Sequence, residues 1–285
     1  MKKIRYFFEY LLVKFWLWII KLLGLKLACK FSVKLFTFIG LKLKATKTAR
    51  NNLAMIFPEL NTQEIEKIVL DIWSNLAMVA AETPFLMDMP NEQFHKYVNV
   101  IGFENITNLQ SKKALICTAH LANWEIIGKA LSSMGEIKLC GVYRAANNKL
   151  VDKLIYNMRN KIKVNMIPKG KSGAKQIIAA LQADQQVVML VDQKMNDGIK
   201  VPFLGHDSMT APAIASLALK YRCPIIPVQI IRKKDSYLDV IIHPALKYQD
   251  STSESIMIQI NQKIGEWVKQ NPGQWFWLHK RWFGK

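Results

Sequence analysis

Between residues 97 and 243 the chain alternates short apolar runs with helical periodicity, and this alternation restricts its possible folds more than any other feature. Strand-length apolar runs fall at 97–101, 114–118, 137–143, 164–167, 187–192, 225–231 and 238–243. Helical patterns fall at 123–134, 150–161, 174–183 and 211–221. A run that is apolar throughout marks a strand covered on both faces, and strands joined through helices run parallel. The pattern predicts an α/β fold with a mostly parallel, twisted sheet flanked by helices. In such sheets the chemistry gathers just past the C-terminal strand ends.

Three of those ends carry polar side chains suited to chemistry. The run ending at Thr118 is followed by Ala119-His120-Leu-Ala-Asn123-Trp-Glu125. On one continuous helix, residues five apart lie roughly 140° around the axis and do not meet. With His120 in the turn and Glu125 in the first helical turn, the carboxylate is expected to reach the imidazole. A carboxylate on one ring nitrogen fixes the tautomer and leaves the other free to take a proton. The alternative is a satisfied histidine at a strand end. Arg144 follows Val142-Tyr143, and Asp192-Gln193 follow the very apolar run 187–191. From the residues alone, Arg144 reads as a solvated charge and Asp192 as a turn or cap residue.

Other candidates are weaker. Lys169-Gly-Lys-Ser-Gly173 fails the spacing of a phosphate-binding P-loop and reads as a basic loop before a helix. His95 lies in a polar stretch, and His206 sits in a loop after Gly205. Cys29, Cys117, Cys140 and Cys223 show no paired or metal spacing and read as buried free thiols. The five dispersed histidines suggest no metal site and no cofactor.

The net charge of +19 calls for an anionic partner. More than half of it lies in the first fifty residues, where twelve Lys and Arg face one acid, Glu9. The rest of that segment is rich in Leu, Phe, Trp and Ile. A spanning helix needs about 20 mostly uncharged residues, and Lys14, Lys21 and Lys30 interrupt every such window. No small-residue cleavage site marks a signal peptide. A basic amphipathic segment in the membrane interface fits best, with a tilted spanning anchor as the alternative. Lys26, Lys30 and Lys34 form one stripe, and Gly24 is a natural break. Boundaries of 1–45 for this segment and 46–285 for the globular domain follow. Nucleic acid is the weaker partner, since neither an aromatic-basic RNP-type motif nor zinc-finger spacing occurs.

Around the core, 45–56 reads as a helix, and Asn61-Thr-Gln-Glu64 as a capping box before a long amphipathic helix. A further helix is predicted at 253–270, and Thr210 as the cap of the helix at 211–221. The chain closes on an aromatic, cationic stretch, Pro272-Gly-Gln-Trp-Phe-Trp-Leu-His279-Lys-Arg281-Trp282, which suits either core packing or a membrane-interface platform.

His120-Leu-Ala-Asn-Trp-Glu125 resembles the His-x4-Asp/Glu motif of the lysophospholipid acyltransferase superfamily. More narrowly, it resembles its form in bacterial lipid A biosynthesis acyltransferases, the lauroyl and myristoyl transferases. The likeness extends through Asn52-Leu53, Phe57-Pro-Glu-Leu60, Val142-Tyr-Arg144, Asp192-Gln193, Val201-Pro-Phe-Leu-Gly205 and the closing stretch, with Lys280 replacing an arginine. The resemblance implies transfer of an acyl chain from acyl-carrier protein, or coenzyme A, to a hydroxyl of a phosphorylated lipid A precursor, at the cytoplasmic face of the inner membrane. It implies His120 as general base supported by Glu125, with backbone N–H groups near Asn123 holding the oxyanion. Asn123, Arg144, Asp192 and Gln193 are implied in substrate binding, with His279 and Arg281 lining the polar-lipid site. It gives His206 no role. Transfer to another glycolipid or to a lysophospholipid, or a non-catalytic basic membrane-binding role, are the competing readings.

Overall fold

The computed structural model describes residues 2–162 and 164–282. Seven strands build the main sheet: β1 Val98–Ile101, β2 Ala114–Thr118, β3 Leu139–Tyr143, β4 Asn165–Pro168, β5 Gln186–Leu190, β8 Ile225–Arg232 and β9 Leu238–Ile242. Their order is β1-β9-β8-β2-β5-β3-β4. Every pairing is parallel except β8 with β9. All seven predicted strands are therefore present, with ends shifted by a few residues.

Both faces of the sheet are covered. All five residues of β2 are buried; Leu115 and Cys117 enter one core, Ala114 and Ile116 the other. The first core takes side chains from α8 Lys171–Gln182, α9 Ala213–Tyr221 and α10 Ser253–Gln270. The second takes them from α6 Ile127–Ser132 and Phe94 of the single-turn α4 Asn91–Phe94. The one-turn α5 Glu104–Thr107 follows β1, and α7 Lys149–Arg159 follows β3.

Gly173 explains the glycine-rich stretch before α8. A Cβ there would lie 1.8 Å from the Pro168 carbonyl oxygen, so the residue lets α8 press onto the end of β4. Packing, not phosphate binding, accounts for it.

One two-stranded element was absent from the predicted pattern. β6 Lys194–Phe203 and β7 His206–Thr210 form an antiparallel hairpin where only a loop was expected. Its turn has positive φ at both Leu204 and Gly205, which matches the right-handed twist of paired strands. Thr210 ends β7 and does not cap the next helix, whose N-cap is Pro212. His206 is exposed at the turn.

Before the sheet come α1 Lys2–Gly40, α2 Lys44–Ile56 and α3 Thr62–Asp88. The Asn61–Glu64 capping box forms as predicted. Gly24 breaks α1 with φ 69 and ψ 164. Ile20, Ala28 and Cys29 of α1 seat against Ala81 of α3. Near its start, the Tyr6 carbonyl and the Glu9 carboxylate accept from the Asn148 side chain, just before α7. Outward, α1 exposes Phe7, Phe8, Leu12, Phe15, Trp18, Leu22 and Leu27, beside exposed Lys14, Lys21, Lys26 and Lys30. Apolar side chains thus lie on its outer side as well as on its packed side. Among the described residues, no helix is long and apolar enough to cross a membrane.

Candidate active site

The parallel register of β2 and β5 assembles the site. Thr118 pairs with Leu190, so two residues further on His120 and Asp192 leave the sheet side by side. The Asp192 Oδ1 lies 2.7 Å from His120 Nδ1. Its Oδ2 accepts from the His120 backbone N–H at 2.9 Å and from the Trp275 indole N–H at 2.7 Å. Asp192 is fully buried, so its charge has no water to answer it. Burial pushes its carboxyl upward, but the imidazole's charge and the three hydrogen bonds outweigh this and hold it well below the usual carboxylate range. Burial likewise disfavours the imidazolium of His120. The Asp192 charge and hydrogen bond, with the Glu125 charge, more than offset that and raise its pKa.

This geometry corrects two expectations. Asp192 does not face substrate, because it is fully buried and both oxygens are committed. Glu125 does not hold the imidazole. Its carboxylate is clamped by Arg159, with Nε to Oε2 at 2.9 Å and Nη2 to Oε1 at 2.7 Å, and accepts the Trp124 indole N–H at 3.1 Å. The reason is local. The Asn123 side chain accepts from the Glu125 N–H, and the chain forms a 3-10 turn over Trp124–Ile126 before α6 begins. Glu125 therefore reaches Arg159 at the end of α7 instead.

Asn123 is corrected too. It is fully buried, donates to Glu82 Oε1 at 3.0 Å, and takes Thr83 Oγ1 at 3.2 Å, leaving it unavailable to a substrate. The backbone N–H groups expected near it for an oxyanion are partly spent, since Glu125 and Ile126 donate theirs to Asn123.

Gln193 and Arg144 do lie at an open site. Gln193 Nε2 sits 3.3 Å from His120 Nε2. With Nδ1–H donated to Asp192, Nε2 carries the lone pair, and the Gln193 amide can donate to it. Gln193 also lines a cavity of about 390 Å³ with Arg144, Lys194, Asn196, His279 and Lys280. Trp124 and Phe276 wall the imidazole, with ring centroids 5.2 and 6.2 Å away. The combination is an imidazole, held through Nδ1 by a carboxylate, whose Nε2 lies beside a residue of a cationic recess.

Trp275, Trp277 and Arg281 of the closing stretch are core, while Phe276, His279 and Lys280 face the site. Trp275 and Trp277 are buried, with Trp282 stacked on Phe203. Arg281, expected at the lipid site, is fully buried and donates to the Met209 carbonyl and Thr210 Oγ1. Burial brings its pKa down to about 10. His279 lines the cavity; burial lowers its pKa, and Nδ1–H donates to the Phe276 carbonyl. The four cysteines are buried and free. Among the described residues no group of three or more His, Cys, Asp or Glu side chains is placed to hold a metal ion.

A family model for bacterial lipid A biosynthesis acyltransferases matches residues 1–283. The chain belongs to that family. It is an O-acyltransferase. Its relatives include the lipid A biosynthesis palmitoleoyltransferase of Escherichia coli, 23% identical over 82% of this chain and 77% of that one. The lipid A biosynthesis lauroyltransferase of the same organism is 25% identical over 84% and 79%. A crystal structure of the 1-acyl-sn-glycerophosphate (LPA) acyltransferase of Thermotoga maritima covers 95% of this chain and 98% of its own at 13% identity, with a TM-score of 0.40.

Sequence reasoning missed the residues that act on the turn from below: Asn75, Glu82, Arg159, Arg232 and Gln274. Gln274 lies in the closing stretch quoted for the resemblance, but nothing there marks its role, and no motif marks the others. Glu82 alone left a signal, as a lone acid on the apolar stretch of α3.

Proposed function

We propose that this acyltransferase moves a fatty acyl chain from an acyl thioester, carried by acyl-carrier protein, to a hydroxyl of a phosphorylated lipid A precursor. The observation that carries the reading is His120 with Nδ1 tied to a buried carboxylate and Nε2 beside Gln193, which lines the cationic recess.

In this mechanism the acceptor hydroxyl displaces the Gln193 amide at Nε2 and gives its proton to His120 as its oxygen attacks the thioester carbonyl. Asp192 stabilises the imidazolium that forms, and no acyl-enzyme is needed. The freed Gln193 amide donates to the tetrahedral oxyanion. The imidazolium then returns its proton to the departing thiolate. Arg144 and Lys280 hold a phosphate of the acceptor; the planar fork of Arg144 makes paired bonds to its oxygens. The exposed aromatic and basic side chains of α1 rest in the headgroup region of the inner membrane, on its cytoplasmic face.

The test offers the purified protein dodecanoyl, tetradecanoyl and hexadecanoyl thioesters of carrier protein and of coenzyme A. Acceptors are a phosphorylated lipid A precursor and a lysophospholipid, and products are read by mass spectrometry. Acylation of the lipid A precursor, abolished by His120→Ala, is the expected result. Turnover of the lysophospholipid alone, or undiminished turnover by His120→Ala, would overturn the reading.

A further inference from the structure

Beneath the turn that presents His120 lies a buried ion pair that the chemistry above does not touch. Glu82 of α3 is fully buried. Arg232, the last residue of β8, donates Nη1 to Glu82 Oε2 at 2.9 Å and Nη2 to Oε1 at 2.8 Å. Arg232 Nε donates to Asn75 Oδ1 at 2.8 Å. A buried ion pair is commonly no more stabilising than a well-packed apolar pair, so stability alone gives little reason for one. Its contacts suggest another. Glu82 Oε1 accepts from Asn123 Nδ2, and Asn75 Nδ2 donates to the Ala122 carbonyl at 3.2 Å. Gln274 exchanges two bonds with the Arg232 backbone, while its own carbonyl accepts the Ala122 N–H at 2.9 Å.

Three of these bonds, from Glu82, Asn75 and the Gln274 carbonyl, end on the two residues that follow Leu121, and Arg232 ties their three owners together. Ala122 has φ 47, a conformation unfavourable for a residue with a Cβ. The turn is thus held in a strained shape by side chains of α3, themselves fixed by Arg232 of β8, and by the Gln274 carbonyl of the C-terminal segment. Resting on the base assignment made above, we propose that Glu82 and Arg232 are positioning residues. Acting through Asn123 and Asn75, they fix the turn so that the imidazole keeps its bond to Asp192. Helix α1 closes over this arrangement. Its Cys29 packs beside Ala81, the neighbour of Glu82, and lies 3.6 Å from Ser236 Oγ in the loop after β8.

Two variants separate positioning from folding. Glu82→Met with Arg232→Met replaces the pair by apolar side chains and keeps the fold stable, with a Tm near wild type. We expect its kcat to fall at least tenfold, as an estimate for a displaced catalytic group, with KM for the thioester nearly unchanged. Glu82→Gln retains an acceptor for Asn123 and should lose less. A second readout needs no acceptor: titration of the His120 ring by NMR. The charged groups around that ring are Asp192 and Glu125, with titratable His279 nearby. A loosened Asp192 bond lowers the His120 pKa in both variants, more in the double one. Wild-type kcat and an unmoved His120 titration in the Met pair would overturn the proposal. If the Met pair fails to fold, the same result in Glu82→Gln does so. His120→Ala serves as the control. Should it stay active, the base assignment fails, whereas the NMR shift still reports on the turn.

Discussion

Asp192→Asn is the sharpest perturbation of the site, because the surroundings dictate how the new amide must sit. The Oδ2 position of Asp192 receives two donors, the His120 backbone N–H and the Trp275 indole N–H. The amide oxygen must occupy that position, which turns the NH₂ onto His120 Nδ1. A donor facing Nδ1 forces the ring proton onto Nε2, and the base is lost in its working tautomer. The imidazolium also loses its partner charge. At roughly 4 Å and an effective dielectric of about 20, that attraction is about 4 kcal/mol, or about a thousandfold in rate. Steady-state acyl transfer should therefore fall about a thousandfold in kcat, with KM little changed. The pH profile supplies a sign. Wild-type kcat/KM should rise with pH through the raised His120 pKa, so the acid limb breaks above 6.5, and in Asp192→Asn any residual limb moves down. Stability follows linkage. The depressed Asp192 contributes above its ordinary 3.8 and loses that as pH falls through its folded value; the raised His120 contributes below 6.5 and loses that as pH rises through its own. The Tm gap between wild type and variant should thus be widest between those two values. A folded Asp192→Asn protein within threefold of wild-type kcat would refute the assignment.

Three further outcomes are expected. Glu125→Gln should cost kcat only about tenfold, far less than Asp192→Asn, since Glu125 lends His120 charge but no hydrogen bond; parallel kinetics on the two variants check the ranking. Arg144→Ala should raise KM for a phosphorylated acceptor about tenfold with kcat nearly kept, and should leave KM for a dephosphorylated acceptor unmoved. Gly173→Ala should destabilise the fold by about 2 kcal/mol or more, read by chemical denaturation, because its Cβ meets a backbone oxygen that cannot swing away.

The contrast between Glu125 and Asp192 marks how far the sequence could be read. The α/β class, all seven sheet strands, the capping box at Asn61 and the break at Gly24 were legible, since each rests on local periodicity or on one residue's backbone preference. His120 was legible as a polar residue at a strand end. Its partner was not, because proximity along the chain favoured Glu125, five residues away, whereas the sheet supplied Asp192, 72 residues away. To choose correctly one must know that β2 and β5 are neighbours and that Thr118 faces Leu190. Strand order depends on how the helices pack, and no local pattern encodes it. The hairpin at 194–210 was missed for a related reason. Its first strand is polar and contains Gly198 and Pro202, and its pairing is decided by the turn at Leu204-Gly205 and by Asn261 of α10 donating to the Pro202 carbonyl. Arg281 and Trp275 show the same logic from the other side. A cationic, aromatic tail reads equally as a lipid platform or as core, and only burial under the hairpin decides. Where a side chain's partner comes from a non-adjacent strand or from the far end of the chain, residue type bounds its chemistry and topology selects its role.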